Sequence, residues 1–541
     1  MILKVINKWR LKGHNKIWII KVLLSFRVFI SVLSFSTYAE INYPTASAIL
    51  GSSNSTPCLF IKHVELINVD AFPNAGLLLQ KVKQSQGNCL DEEGLSSLRK
   101  TLQGQLVTEG YITSDVAFPQ NSYMDGTLYL TLIPGRVSAI EHHEDSHGYA
   151  QLNTVFPIQQ GDLVNLRNLE QGLDNLQRLP SVSATMDVVL NREDLSSQVM
   201  VNHQQSRFWR INTFFDNSGH YAFGHYRVGA TLFFDNLLSL SELTYFSASR
   251  ELDNHPEKGN NHLILHHSVP FGYWLLSLTG SQGTYYQSLP VGNTAFKYQT
   301  HWRSLDMQIQ RLLMRGYNYK TLGYLGALIR KSNRFFADIE LQIQRVDTVD
   351  WQLGLQYLYY THWATISGGV NYQQGASWFG ARPSQRSEAF TVTRLMNVTA
   401  LLDIPFMLGQ QRFYYQSAFN QQYTHSNLPA QDHFSIGGKH SVRGFSSENA
   451  LTGPQGFSLK NDISWINQQF ASQLYVGVDY GEVRGKGRQF LSGKRLVGGV
   501  LGVRGRYHKF GYDFNIGLPL DKPDGLNTDP MVLGFMMNWQ Y

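Results

Sequence analysis

The sequence predicts a mainly β protein: a transmembrane barrel of about sixteen strands, preceded by two small periplasmic α+β domains. Three observations carry this. At the end of the chain Leu533, Phe535, Met537, Trp539 and Tyr541 share one face of a strand, and Gly534, Met536, Asn538 and Gln540 the other. A lipid-facing strand needs that alternation, and Trp and Tyr place amphipathic rings at the membrane interface. From about Arg207 onward, aromatic-rich alternating segments recur between alternately short and long connections, as at Trp209–Phe215, Arg227–Phe234, Leu243–Ser249, Trp274–Thr279 and Ile339–Val346. With 28 Tyr, 47 Gly and a mean hydropathy of −0.24, the 541 residues exclude a helical membrane bundle but suit a barrel with a polar interior.

The first 39 residues read as a leader. Lys4, Lys8, Arg10, Lys12, Lys16, Lys21 and Arg27 meet no acid there, an apolar stretch ends in Val28–Phe35, and Thr37 and Ala39 supply small residues before a cut after Ala39. Removing those seven charges leaves 39 basic residues against 40 acidic, a net charge of −1, so the pI of 9.0 belongs to the leader. A nucleic-acid partner therefore loses its main support. An exported chain with a barrel-like end and no apolar run of ~20 residues points to a Gram-negative outer membrane, with lipid as a partner. The two cysteines, Cys58 and Cys89, sit in one small domain of an oxidising compartment and are expected to pair. The alternative is two buried thiols; either way no cysteine remains for a metal cluster or a nucleophile.

Residues 40–56 read as a short polar tether. From Phe60 the order is strand, helix, helix, strand, strand: Phe60–Leu66 extends, Leu95, Leu98, Leu102 and Leu106 recur at helical spacing, and Gly110 stops that helix. Val116–Phe118 and Leu128–Leu132 complete a mixed sheet. The plan repeats, with a strand at Val137–His143, a helical stripe of Leu166, Leu169, Leu173 and Leu176 stopped by Pro180, and strands at Ala184–Leu190 and Gln198–Val201. Two such domains before a barrel suggest docking modules whose sheet edges accept an extended chain.

With both termini periplasmic, the segment around residues 421–456 is the sixth extracellular-side connection and by far the longest. It carries Val442-Arg443-Gly444-Phe445. Downstream, Leu474, Val476, Val478 and Tyr480 share one strand face, which leaves Asp479 on the other with Gly477. A loop arginine and an inward aspartate are natural partners: paired hydrogen bonds fix a guanidinium against a carboxylate in a partly desolvated lumen. Such a pair either gates a pore or merely staples a loop for barrel stability.

Several motifs, in order, then converge. Glu109-Gly110-Tyr111-Ile112-Thr113, the helix Leu166 to Ser181, the turns Asp216-Asn217-Ser218-Gly219 and Asp235-Asn236-Leu237-Leu238, the run Gln431 to Gly438 leading into Ser441-Val442-Arg443-Gly444-Phe445, and Gly477-Val478-Asp479-Tyr480-Gly481 resemble the outer-membrane transporters of two-partner secretion. This is the haemolysin and filamentous-haemagglutinin secretion-activation family, in which two POTRA domains precede the barrel. The resemblance runs from about Cys58 to Tyr541. It implies POTRA domains at 57–135 and 136–204, a barrel at 205–541 and a loop folded into the lumen, with Arg443 meeting Asp479. It also implies a pore that recognises an unfolded secreted exoprotein in the periplasm and passes it to the surface, the exoprotein being a cytolysin, adhesin or contact-dependent toxin. Phe535, Trp539 and Tyr541 are the expected insertion signal for the barrel-assembly machinery.

Three departures stand against it. Leu190-Asn191-Arg192-Glu193-Asp194-Leu195 replaces a Pro-Gly turn, residues 40–56 are short for a plug helix, and the leader is long and basic.

No cofactor, metal or catalytic residue is expected. Glu141-His142-His143-Glu144-Asp145-Ser146-His147 has metal-ligand residue types but runs from a strand end into a polar loop. Gly499-Val500-Leu501-Gly502-Val503-Arg504-Gly505 lacks the helix a phosphate loop requires, and Arg484, Lys486, Arg488, Lys494 and Arg495 read as a solvated face. Without a nucleotide site, folding of the cargo outside the cell is the expected driving force. Other readings are a barrel-assembly factor of the same superfamily, against which two POTRA units argue, and an outer-membrane hydrolase, for which no Ser/His/acid signature exists.

Overall fold

The computed structural model describes residues 58–541 except 74–75, 120–121, 192–195, 253–257, 379–380, 382–392, 429–431, 468, 470 and 486–492. The leader, the tether, Arg192 to Leu195, Gln431, Lys486 and Arg488 thus lie outside the described residues.

The first periplasmic domain contains β1 (His63–Ile67), α1 (Gly76–Lys83), α2 (Glu92–Thr108), β2 (Asp115–Ala117), β3 (Tyr123–Met124) and β4 (Thr127–Ile133). Helix α2 starts where the Asp91 carboxylate accepts the Gly94 N–H at 2.8 Å, and Glu92 and Glu93 favour its positive end. Its stripe of Leu98, Leu102 and Leu106 is buried, and the chain turns out at Gly110 with φ +97°. Strand β4 pairs in parallel with β1 and antiparallel with β2 and β3.

The second domain is β5 (Arg136–His142), a short helix α3 (Leu152–Val155), α4 (Leu166–Gln177), β6 (Val182–Leu190) and β7 (Ser196–Gln205). Its sheet runs β5–β7–β6, with β6 paired, among the described residues, only to β7. Leu169 and Leu176 of α4 pack with Val155, Phe156, Val199 and Val201 into one core.

His203 on β7 is fully buried beside His142. Burial pushes its imidazole below the ordinary histidine range and His142 pushes it the same way, partly offset by main-chain groups of Gly148 and His147. In mild acid the unfolded chain then takes a proton that the native domain refuses, so stability falls as pH drops below the ordinary value. We expect hydrogen exchange of the β7 amides in the full-length protein, corrected for intrinsic rate, to lose protection on going from neutral to mildly acidic pH. His203→Leu should flatten that dependence; an unchanged pH profile would remove His203 as its source.

Sixteen long strands then close on themselves: β8 (Trp209–Asp216), β9 (Arg227–Asp235), β10 (Leu243–Glu251), β11 (Gly259–Phe271), β12 (Trp274–Val291), β13 (Thr294–Arg315), β14 (Tyr319–Phe336), β15 (Val346–Tyr360), β16 (Thr365–Ala376), β17 (Arg394–Leu408), β18 (Gln411–Thr424), β19 (Gln455–Asn467), β20 (Ser472–Arg484), β21 (Arg495–Tyr507), β22 (Phe510–Asp521) and β23 (Val532–Gln540). Every neighbour is antiparallel, and β23 returns to β8, with Asn212 opposite Gln540 and Asp216 opposite Met536. Closure leaves no free strand edge in the bilayer. The seam is lengthened by a side chain: Asn217 donates to the Leu533 carbonyl at 2.7 Å and accepts the Phe535 N–H at 2.8 Å, like one more rung of the ladder. Leu533, Trp539 and Tyr541 are exposed on the outer face, and the Phe535 ring lies 5.1 Å from that of Phe215.

Two segments differ from the sequence expectation. Ile339–Val346 is no spanning strand. After a turn through Ala337 and Asp338, both at positive φ, Ile339–Glu340 form a two-residue strand, Gln342–Gln344 a 3-10 turn, and β15 starts at Val346. A short alternating stretch beside a turn imitates a wall strand until its pairing partners are counted. Trp274–Thr279 is only the start of β12, which continues to Val291 through Gly280 and Gly283. At 18 residues β12 exceeds the ~10 that cross a bilayer, and beyond lipid a strand needs no apolar face.

Candidate functional site

The connection from Thr424 to Gln455 joins β18 to β19. Leu474 and Val476 are exposed on the outside of β20, so Tyr475, Gly477 and Asp479 point into the barrel. Arg443 reaches Asp479, which places this loop inside the lumen. Its guanidinium donates from Nε to Asp479 Oδ2 at 2.6 Å and from Nη2 to Asp479 Oδ1 at 2.7 Å, a bidentate pair. The Arg443 main-chain N–H donates to the same Asp479 Oδ2 at 2.9 Å, so the carboxylate binds both side chain and backbone. Asp479 is 0% exposed and Arg443 8%.

A second carboxylate escaped the sequence reading. Asp462 on β19 accepts Nη2 at 2.5 Å and Nη1 at 3.2 Å, so Arg443 bridges two adjacent strands. Asp462 lies opposite Gly477 in the β19–β20 ladder, and Arg504 stands 3.7 Å from its other side. The signal was present: Asp462 directly precedes outward-facing Ile463 and so falls on the inner face. Which inward acid the arginine would use is decided by strand register alone.

Glycines make room for the loop. A β-carbon at Gly477 would strike Asp462 Oδ1 and the Arg443 guanidinium, and one at Gly498 would overlap the Arg443 carbonyl oxygen. Gly444, at φ +101°, turns the chain against the Leu518 carbonyl, a backbone conformation and a space that only glycine tolerates. Beside the clamp, Val442 and Phe445 are fully or almost fully buried with Ile436, Leu451, Val483 and Leu496, the last two from β20 and β21. Each such side chain contributes about 1.5–3 kcal/mol by leaving water. The loop is thus held by a small apolar core as well as by charge. A polar cavity lined in part by Lys439, Lys460, Arg504 and Asp513 adjoins Arg443.

The second periplasmic domain is fastened to short barrel turns. The apolar face of α4 serves its own core, while its polar side reaches β13 and β14: Arg315 donates to Glu170 at 3.1 Å and to Asp174 at 2.6 Å, and Lys320 also pairs with Asp174. Burial alone would raise the Asp174 carboxyl; hydrogen bonds from Lys320 and Arg315 outweigh it and hold the group below the usual carboxylate range. The buried Asn175 amide donates to the carbonyls of Val155 at 2.8 Å and Gly272 at 2.7 Å, Tyr273 donates to Asn168, and Arg178 donates to Ser268 and the Ser241 carbonyl. These polar residues of the Leu166-to-Ser181 helix were read only as a sequence signature; their barrel partners are over sixty residues away in sequence.

Of the remaining expected residues, Cys58 and Cys89 are disulfide-bonded. The Glu141–His147 run forms no metal-binding group among the described residues, and Arg484 and Lys494 flank Glu482. Gly499 to Gly505 lie within strand β21.

A closed sixteen-stranded barrel with two α+β domains at its periplasmic rim and its own loop pinned inside defines a POTRA-and-barrel outer-membrane transporter. Residues 196–505 match the family described as haemolysin secretion/activation protein ShlB/FhaC/HecB, 59–135 the ShlB-type POTRA domain and 136–189 a POTRA domain. The chain is 30% identical over 467 residues to the outer membrane transporter CdiB-2 of Burkholderia pseudomallei (strain 1026b), covering 84% of this chain and 79% of that one. It is 25% identical over 480 residues to the hemolysin transporter protein ShlB of Serratia marcescens, covering 87% and 84%. Among solved structures, CdiB from Escherichia coli superposes with a TM-score of 0.84 at 22% identity, covering 96% of this chain and 97% of the other, a likeness of fold. CdiB from Acinetobacter baumannii gives 0.80 at 25% identity over the same shares. The chain belongs to the haemolysin secretion/activation family, the outer-membrane transporters of two-partner secretion.

Proposed function

We propose that this transporter catches its exoprotein in extended form at the edge of β6 and passes it through the lumen when the loop that carries Arg443 swings aside about its Arg443 anchor. The observation that carries the reading is the seating of that loop: one arginine, two inward carboxylates and a small apolar core hold it across the route that cargo must take. Strand β6 suits capture because, among the described residues, it pairs on one side only, and it exposes Val189 and Leu190. The cargo is an exoprotein of the cytolysin, adhesin or contact-dependent toxin type. Its chain enters unfolded, because capture by strand addition at β6 requires an extended segment. Membrane lipid faces the outer strands, and the barrel-assembly machinery reads Phe535, Trp539 and Tyr541 at insertion. The protein acts as a conduit and catalyses no covalent step.

Co-expression with a candidate exoprotein tests this. Release into the medium should require the chain, and cargo should accumulate in the periplasm without it. Equal release in both strains, with the barrel present in the outer membrane, would defeat the pairing of this transporter with that cargo. Failure with every exoprotein encoded beside it would defeat the secretion reading.

A further inference from the structure

The lumen loop is tied to the wall at a second place, where a different arginine comes from the barrel and the acid from the loop. Asp432 accepts from Arg330 Nη1 at 2.5 Å and from Nη2 at 3.4 Å. Arg330 lies on β14, and its Nη2 also donates at 3.0 Å to Asp350 on the adjacent β15. Outward Leu325 on β14 and Leu353 and Leu355 on β15 are exposed, which places Arg330 and Asp350 on the inner face by alternation. Strands β16, β17 and β18 separate this site from the Arg443 clamp on β19 and β20. The far part of the loop also reaches the first extracellular connection, where Ser447 donates to the Gly219 carbonyl and the Tyr221 N–H to Glu448. The loop therefore braces three sectors of the wall.

The two ionic anchors differ in what they leave behind. Withdrawing Arg443 strands Asp462 and Asp479, two inward carboxylates on fixed strands, and removes the one cation among the described residues that hydrogen-bonds both; Lys460, opposite Asp479 in the ladder, and the partly exposed Arg504 stand nearby. Withdrawing Asp432 strands nothing, because Arg330 remains neutralised by Asp350, which is 1% exposed. The leaving carboxylate travels with the loop into water. Arg330 is also bound less completely. Its Nε is buried without a hydrogen-bond partner among the described residues, whereas Arg443 uses Nε and both Nη atoms. It is 22% exposed against 8% for Arg443, so screening weakens its pair further.

We propose that the Arg330–Asp432 pair is a releasable latch of the lumen loop: Asp432 leaves first, Asp350 holds the Arg330 charge meanwhile, and Arg443 remains as the pivot. Arg330, Asp350 and Asp432 are positioning residues, acting on cargo through the loop. The inference rests on the reading that this loop obstructs the pore.

Single-channel recording of the full-length protein in planar bilayers tests it, with heat-modifiable gel migration confirming a folded barrel for each variant. Asp432→Asn should raise the time spent in high-conductance states about tenfold, the consequence of losing one charge-assisted pair. Asp350→Asn should change it in the opposite direction, because Arg330 then has Asp432 as its sole carboxylate. The swap Arg330→Glu with Asp432→Arg should return it toward the parent, since the arginine introduced on the loop then meets the introduced glutamate and Asp350, two carboxylates of the wall. Asp350→Asn opening the pore as Asp432→Asn does would reduce the triad to wall packing and overturn the latch. So would an Asp432→Asn channel identical to the parent while Arg443→Ala conducts more. If Arg443→Ala also matched the parent, the obstruction reading itself would fall, and the latch with it.

Discussion

Arg443→Ala should nearly abolish release of the exoprotein while leaving a folded barrel in the outer membrane. The substitution removes the guanidinium shared by Asp462 and Asp479 and leaves both carboxylates inside the wall. Breaking a buried ion pair costs about 3–5 kcal/mol. The adjoining polar cavity and Arg504 place this case near the lower bound, since water and a second cation can approach Asp462. About 3 kcal/mol is a roughly hundredfold shift toward a loop without its pivot, which can leave the wall but cannot swing aside and return in a guided way as cargo passes. The barrel itself keeps its complete hydrogen-bonded ladder, none of which passes through the loop. Arg443→Lys separates charge from geometry: a lysine restores the charge but cannot make the bidentate pair to Asp479 while reaching Asp462. Its secretion should fall between the parent and alanine. Secretion and heat-modifiable migration, measured on the same cells, check both. Loss of the barrel in step with loss of secretion would assign Arg443 to stability.

The second large effect is expected from the smallest change, Gly498→Ala. By strand preference alone alanine in β21 should be harmless or favourable, because glycine weakens a strand interior. The loop reverses that sign. A β-carbon at Gly498 overlaps the carbonyl oxygen of Arg443, a main-chain atom that no rotamer change can move away. Gly498 lies opposite Asp479 in the β20–β21 ladder, so the collision falls at the clamp. Overpacking of this kind costs about 1–3 kcal/mol, and with backbone on the receiving side the upper value applies. Secretion should drop toward the Arg443→Ala level with the barrel intact. Gly280→Ala is the control, since a β-carbon there meets nothing within 4 Å. Parent-like secretion from Gly498→Ala would show that the loop does not rest on β21 during transport.

Much of the architecture was legible in the chain because barrel strands announce themselves by local alternation. Trp209–Phe215, Arg227–Phe234 and Leu243–Ser249 each end within two residues of the observed strands. The stripe Leu98, Leu102 and Leu106 marked its helix for the same reason: the signal spans a few neighbouring residues. Ile339–Val346 misled because eight alternating residues beside a turn carry the same local pattern as a wall strand. What distinguishes them is pairing across the sheet, a property of distant residues. Asp462, Asp350 and the polar side of α4 went unread for a related cause. An inward acid or a helix-surface Asn has no local mark of what it will face.

The chain by itself determined the alternation that builds a lipid-facing wall, the helical stripes of the two periplasmic domains, and the presence of an arginine loop and an inward Asp479. These follow from residue type and spacing, which act within one strand or one turn. Tertiary structure decided the rest: that Arg443 bridges two strands, that Gly477 and Gly498 are the loop's seat, and that Asp432 finds Arg330 across the lumen. Barrel closure and strand register set those distances, and they exist only once every strand has found its neighbour.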